Sequence, residues 1–223
     1  FDNFGSQSHF NKNIIPDYIA TNGPVAFKHL NSNKLISKNI IKVEALRFLY
    51  LNKIKKNLGE TNIKNNKSLL VITSYLESEI IDQIKILSLS NVISKKYKIY
   101  IKPHSNTTNL PFLIGAHAPR LEYEILNCHI SEALKKSNRV FCANYTSSAI
   151  EAAYMGLTIA IMMPQKSFDL SVKENIKNYI SIYDHKDLNN FFKFKKRSAI
   201  VGNYFYLDKN LSKWKQLLGQ LIN

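Results

Sequence analysis

Short apolar runs separated by amphipathic stretches recur along the chain, and their spacing predicts alternating strands and helices. Residues 69–73, 98–101, 140–143 and 158–162 are nearly unbroken apolar runs of strand length, the pattern of strands covered on both faces. Residues 17–22, 121–126 and 179–183 read as further strands, the first stopped by the breaker pair Gly23-Pro24. Between them, 38–56 carries Ile41, Ala45, Phe48 and Leu49 at helical spacing and predicts a long amphipathic helix. Helices are also predicted over 77–94, 131–136, 186–193 and 211–222. Residues 59–67 read as a polar surface loop and 105–119 as a long loop of the functional kind. The alternation predicts an α/β fold, a doubly wound, Rossmann-like parallel sheet. Residues 14–223 read as that domain, and 1–13 as a linker or the remnant of a preceding domain.

Residues 144–156 carry the most chemistry, joining the run 140–143 to a helix through Thr146, Ser147 and Ser148. The first turn of a helix leaves backbone N–H groups unpaired at the positive end of its dipole, so hydroxyls placed there suit an anion. In a doubly wound sheet, ligands bind beyond the carboxyl ends of the strands. That rule gathers Asn22 and Gly23, Thr73 and Ser74, Lys102 and His104, and Thr146, Ser147 and Ser148 along one sheet edge. Each group has a plainer structural use. Ser74 with Glu77, and Ser148 with Glu151, fit the capping-box spacing, and Gly23 would serve a turn of positive φ. Lys102-Pro103-His104 directly after a strand is a more specific arrangement than a lone histidine.

Composition narrows the classes. A chain of 223 residues, 45% of them hydrophobic, can bury a full core. No run reaches the roughly 18 to 20 apolar residues that span a bilayer. The expectation is a cytoplasmic protein. Cys128 and Cys142 lack metal-ligand spacing and read as small apolar side chains. The excess of 31 Lys+Arg over 16 Asp+Glu invites a nucleic-acid reading, but Arg occurs only at 47, 120, 139 and 197 and the lysines are scattered. Nucleic acid is therefore disfavoured as a partner. The basic clusters suit a peripheral contact with anionic lipid at the inner membrane face or with an acidic glycan.

Lys102-Pro103-His104, the Ser147-Ser148 helix start some forty residues later, and the step through Gly156 into the next strand resemble the donor-binding, C-terminal half of GT-B glycosyltransferases. The resemblance is to the bacterial transferases of CMP-activated sugars, sialic acid and Kdo, and to the CDP-glycerol transferases of teichoic-acid synthesis. Residues 42–51 and 207–218 are similar to bacterial surface-carbohydrate biosynthesis proteins. Those transferases carry His-Pro, whereas here Pro103 precedes His104. The resemblance implies inverting, metal-independent transfer of a sugar from a nucleotide donor, CMP-activated, to a glycan acceptor on a surface polysaccharide. It implies phosphate contacts from His104, Ser147 and Ser148, a positive field from Lys102, and a ribose or base contact from Glu151. The donor is a substrate and no cofactor is implied; the sequence contains no Asp-X-Asp pair of the type that holds a divalent ion. His104 is the one catalytic candidate, and the base that activates the acceptor would come from an N-terminal domain, which the terminal helix around Trp214, Leu217, Leu218 and Leu221 would face. A CDP-polyol phosphotransferase, a nucleotide-sugar epimerase-like domain and a noncatalytic nucleotide-binding or scaffold module are the competing classes.

Overall fold

The computed structural model describes residues 16, 18–32, 40–52, 67–91, 97–144, 146–164, 169 and 171–222. The expected linker 1–13 and nearly all of the expected loop 59–67 lie outside the described residues. The chain divides into two compact units, Phe1–Lys56 with Gly202–Asn223, and Asn57–Val201.

In the first unit, β1 (Ile19–Thr21) and β2 (Ile40–Lys42) pair in parallel, with Ile19 opposite Ile40. The connection holds α1 (Pro24–Asn31), which the sequence reading missed. Gly23-Pro24 both stops β1 and starts this helix, because proline at the first helical position loses no hydrogen bond and presets φ for the helix. Most of the described part of the helix expected over 38–56 takes another form: β2 is followed by a 3₁₀ turn, Leu46–Phe48, and helix begins only at Leu51 and Asn52, where the described part ends. Tertiary partners take the backbone instead. Thr21 Oγ1 donates to the Ile41 carbonyl at 3.1 Å, Val43 N–H to the Thr21 carbonyl at 2.9 Å, and Ala45 N–H to the Tyr206 carbonyl at 2.8 Å. Phe48, which fitted the helical pattern, stacks on Phe205 with ring centroids 4.0 Å apart.

Gly23 has φ −169°, an extended backbone and not a positive-φ turn. Its reason is proximity: a Cβ built there would lie 1.9 Å from the Tyr204 carbonyl oxygen. The chain passes so close because Tyr206 N–H donates to the Asn22 carbonyl at 2.9 Å. Gly23→Ala is therefore expected to destabilise this unit by about 2 kcal/mol, since the obstacle is backbone and cannot rotate away. A urea midpoint equal to that of the wild type would count against it.

The closing helix, Ser212–Ile222, is the last element of this unit. Leu218 is 49% exposed, but Trp214 is half-buried and its indole N–H donates to the Glu44 carbonyl at 2.9 Å. The side chain of Leu221 lies outside the described residues.

The second unit is built on β3 (Ser68–Ile72), β4 (Lys98–Lys102), β5 (Glu124–Ile125), β6 (Arg139–Cys142), β7 (Thr158–Met162), β8 (Ile176–Lys177), β9 (Tyr179–Ile182) and β10 (Ala199–Ile200). Six of these strands form one parallel sheet in the order β5-β4-β3-β6-β7-β9, while β8 and β10 make a small antiparallel pair that the sequence did not suggest. The connecting helices are α2 (Glu77–Leu89), α3 (Leu110–His117), α4 (Ile130–Ala133), α5 (Ser148–Tyr154) and α6 (His185–Phe191); numbering the closing helix of the first unit last makes it α7. Counting the six strands from β3 gives the order 3-2-1-4-5-6, the Rossmann arrangement. The expected doubly wound α/β fold is present.

Both faces of the sheet are covered. Leu69, Val71, Ile99, Ile101, Phe141 and Met162 pack with Ile80, Ile84 and Leu87 of α2 and Leu110, Leu113 and Ile114 of α3. The other face of β6 and β7 is covered by α5, whose Ala149, Ile150, Ala152 and Ala153 are buried. This is why these strands read as continuous apolar runs. The expected loop 105–119 contains α3, begun by Pro111 in its first turn, with Leu110, Leu113 and Ile114 forming its buried stripe. The strand expected over 121–126 shortens to β5 at the sheet edge. Gly156, φ +64°, closes α5 in the left-handed conformation and turns the chain into β7.

Candidate functional site

The sheet changes direction between β3 and β6: from β3 the chain builds outward to β4 and β5, then returns to lay β6 on the other side of β3. The segments following β3, β4 and β6 therefore lie side by side at the carboxyl edge next to the switch point, where doubly wound sheets bind their ligands. With strands spaced about 4.8 Å, β4 and β6 lie about 10 Å apart across β3.

Thr73 and Ser74, 3% and 0% exposed, form the floor. Thr73 N–H donates to the Lys102 carbonyl and Thr73 Oγ1 accepts from His104 N–H, both at 3.2 Å. Ser74 Oγ accepts from Leu76 N–H at 3.1 Å, a local turn and not the capping box read from its spacing with Glu77. Glu77 instead accepts from Asn109 Nδ2 at 2.9 Å, joining the first turn of α2 to the start of α3. Gln83 of α2, 1% exposed, donates to the carbonyls of Ile72 and Phe141 at 3.3 and 3.2 Å, tying together the ends of β3 and β6 beneath the floor.

His104 is exposed on the β4 side, its ring 5.7 Å from that of Tyr75. Its Nδ1 accepts from Asn106 N–H at 3.3 Å. In the neutral ring this assigns the proton to Nε2, which makes Nε2 a donor. Lys102, half-buried, folds its ammonium onto the Pro103 carbonyl at 3.1 Å.

On the β6 side the turn carries Thr146, Ser147 and Ser148. Thr146 Oγ1 accepts from Ser148 N–H at 3.3 Å, and Ser147, the N-cap of α5, makes no side-chain cap bond. The capping box expected of Ser148 with Glu151 does not form, because Ser148 lies inside the helix. Glu151 is 1% exposed, inside the fold instead of open to a ligand. Beneath it lies Cys142, whose thiol is pushed up by burial and by the Glu151 charge, as suits an inert core cysteine.

No protein-family model matches this chain. No curated protein matches it either. Among solved structures it is similar to the crystal structure of a glycosyltransferase from Rickettsia africae ESF-5, at 14% identity and a TM-score of 0.46, over 80% of this chain. The chain covers 52% of that protein's chain, about half its length.

Asn22 and Gly23 do not share the edge on which the sequence reading placed them. They follow β1, which among the described residues pairs with β2 in a separate two-stranded sheet. Conversely, Asp169 and Lys173 were not expected at the site, and Asn144 only as the first residue of 144–156 with no role of its own, yet the three lie together at the carboxyl edge: Asn144 Nδ2 donates to Asp169 Oδ1 at 2.9 Å, and Lys173 pairs with the same carboxylate. The i, i+4 spacing of Asp169 and Lys173 was the only signal available for part of this group.

A groove elsewhere in this unit is lined by Tyr97, Lys98, His117, Arg120, Tyr123 and Glu124, with Lys98 paired to Glu124 at 2.7 Å. It lies at the amino end of β4, away from the end that bears His104. No group of three or more His, Cys, Asp or Glu side chains placed to hold a metal occurs among the described residues, and no helix there is long and apolar enough to cross a membrane.

Proposed function

We propose that this chain carries the donor-binding domain of a glycosyltransferase that transfers a sugar from a nucleotide donor, CMP-activated, to a bacterial surface glycan. The observation that carries the reading is the opening of His104 and the Thr146–Ser148 turn on either side of β3, at the switch point of a parallel sheet ordered 3-2-1-4-5-6. The strands that carry the imidazole and the hydroxyls are about 10 Å apart, close enough for side chains leaning inward from both to share one phosphate. The charged group in such a transfer is the leaving phosphate. As the bond from the anomeric carbon to the phosphate oxygen breaks, negative charge grows on that oxygen, and donors fixed in advance stabilise it. His104 Nε2–H and the hydroxyls of Ser147 and Ser148 supply those donors, and Lys102 adds positive potential. The acceptor oxygen bonds to the anomeric carbon from the opposite side and gives up its proton to a base other than His104, whose two ring nitrogens are engaged by Asn106 N–H and by the leaving phosphate.

A thermal-shift series with CMP, CDP, UDP and GDP tests the proposal, because a ligand that binds only the folded state raises the midpoint by mass action. Cytidine nucleotides are expected to give the largest shift. A larger shift with UDP or GDP would reassign the donor, and no shift with any of the four would sink the reading.

A further inference from the structure

The polar group beside the Thr146–Ser148 turn has no part in the reading above. Asn144, 1% exposed, is built into that turn, since its carbonyl accepts from Thr146 N–H at 3.1 Å. Its side-chain amide donates to Asp169 Oδ1 at 2.9 Å, which also accepts from Ser171 N–H at 3.0 Å. Asp169 Oδ2 accepts from Lys173 Nζ. Burial acts to raise the Asp169 carboxyl, but the hydrogen bonds from Lys173, Ser171 and Asn144 outweigh it and hold the group well below the ordinary carboxylate range. The carboxylate therefore stays charged at every pH at which the protein would work. Lys173 Nζ also lies 3.9 Å from Met163 Sδ, in the residue that follows β7. The ammonium thus sits at the carboxyl edge by β6 and β7, on the side of the switch point opposite His104.

An ordinary surface ion pair needs only its two side chains and is held loosely. Here the carboxylate is held by a buried amide reaching from the end of β6, so the lysine has a fixed partner and less rotamer freedom to lose on binding than an ordinary surface lysine. An ammonium has three donors; Asp169 and Met163 face two of them among the described residues. We propose that Lys173 is a phosphate-binding residue, and that Asp169 and Asn144 are positioning residues that hold its ammonium beside the Thr146–Ser148 turn. The ligand class is the phosphate of a nucleoside mono- or diphosphate, and the inference rests on the reading that a nucleotide occupies the switch point.

Calorimetric titration with CDP, pyrophosphate and cytidine tests it. Lys173→Ala is expected to weaken CDP and pyrophosphate by the same factor, roughly tenfold for one charge-assisted hydrogen bond, with cytidine unchanged. Asp169→Asn is expected to act in the same direction and less strongly, and Lys173→Arg to restore most of the loss. CDP binding to Lys173→Ala at wild-type affinity would overturn the proposal, as would an equal loss for cytidine, which marks a general structural effect. Should Asp169→Asn fail to fold, Lys173→Ala decides the matter alone. A wild-type chain that binds none of CMP, CDP, UDP and GDP fails the glycosyltransferase reading and this proposal with it, whereas nucleotide binding that ignores Lys173 fails this proposal only.

Discussion

Glu44→Ala is expected to destabilise the unit formed by residues 1–56 and 202–223 by about 3 kcal/mol, two charge-assisted hydrogen bonds at about 1.5 kcal/mol each. Glu44 is 1% exposed and caps α7 from far away in sequence. Its Oε1 accepts from Lys213 N–H at 2.9 Å and its Oε2 from Trp214 N–H at 3.0 Å. The carboxylate thus satisfies two of the orphan donors at the helix start and faces the positive end of the dipole. Alanine would leave both N–H groups without an acceptor. Burial acts to raise the Glu44 carboxyl, but the backbone bonds from Lys213 and Trp214 outweigh it and the net shift is downward. A carboxyl lowered on folding stabilises above its ordinary value, and that contribution is lost as pH falls through the folded-state value. The gap between wild type and variant should therefore be full at pH 7 and shrink under acid. Trp214, the single tryptophan of the chain, lies on α7 and reports this unit directly by fluorescence. Urea midpoints that coincide at pH 7 would show that the cap contributes nothing.

His104→Ala and Ser147→Ala are each expected to weaken nucleotide binding roughly ten- to hundredfold, the effect of a lost hydrogen bond to a charged group. Both side chains are exposed, and neither belongs to the packed core. The His104 backbone N–H that bonds to Thr73 is unaffected by changing the ring, so the floor of the site stays in place. The thermal midpoint without ligand should accordingly stay near that of the wild type. Unchanged CMP and CDP affinity in both variants, measured calorimetrically, would show that neither residue binds phosphate, whatever the fold suggests.

The sequence by itself determined the elements whose partners are close by or whose burial is complete. β3, β6 and β7 were legible because a strand covered on both faces must be apolar at nearly every position, and β7 keeps its expected bounds, Thr158–Met162. The steps from strand to helix at Ser74 and at Ser147 were legible for a related reason, since small hydroxyl residues punctuate such steps locally. Helix 38–56 misled because Ile41, Ala45 and Phe48 fit a helical period equally well when two of them serve a strand and an aromatic stack. Only the tertiary structure decided which carboxyl ends meet. Strand order depends on crossovers that carry no local mark, and it alone sets Thr73 between His104 and Asn144 while leaving Asn22 and Gly23 on another sheet. The same holds for bonds between distant residues: Asn144 with Asp169, Gln83 with Phe141 and Glu44 with Trp214 span 25, 58 and 170 positions. A buried polar side chain must find its partner wherever the fold delivers one, and the residues that deliver it need share no periodicity or spacing that a reader of the chain could see.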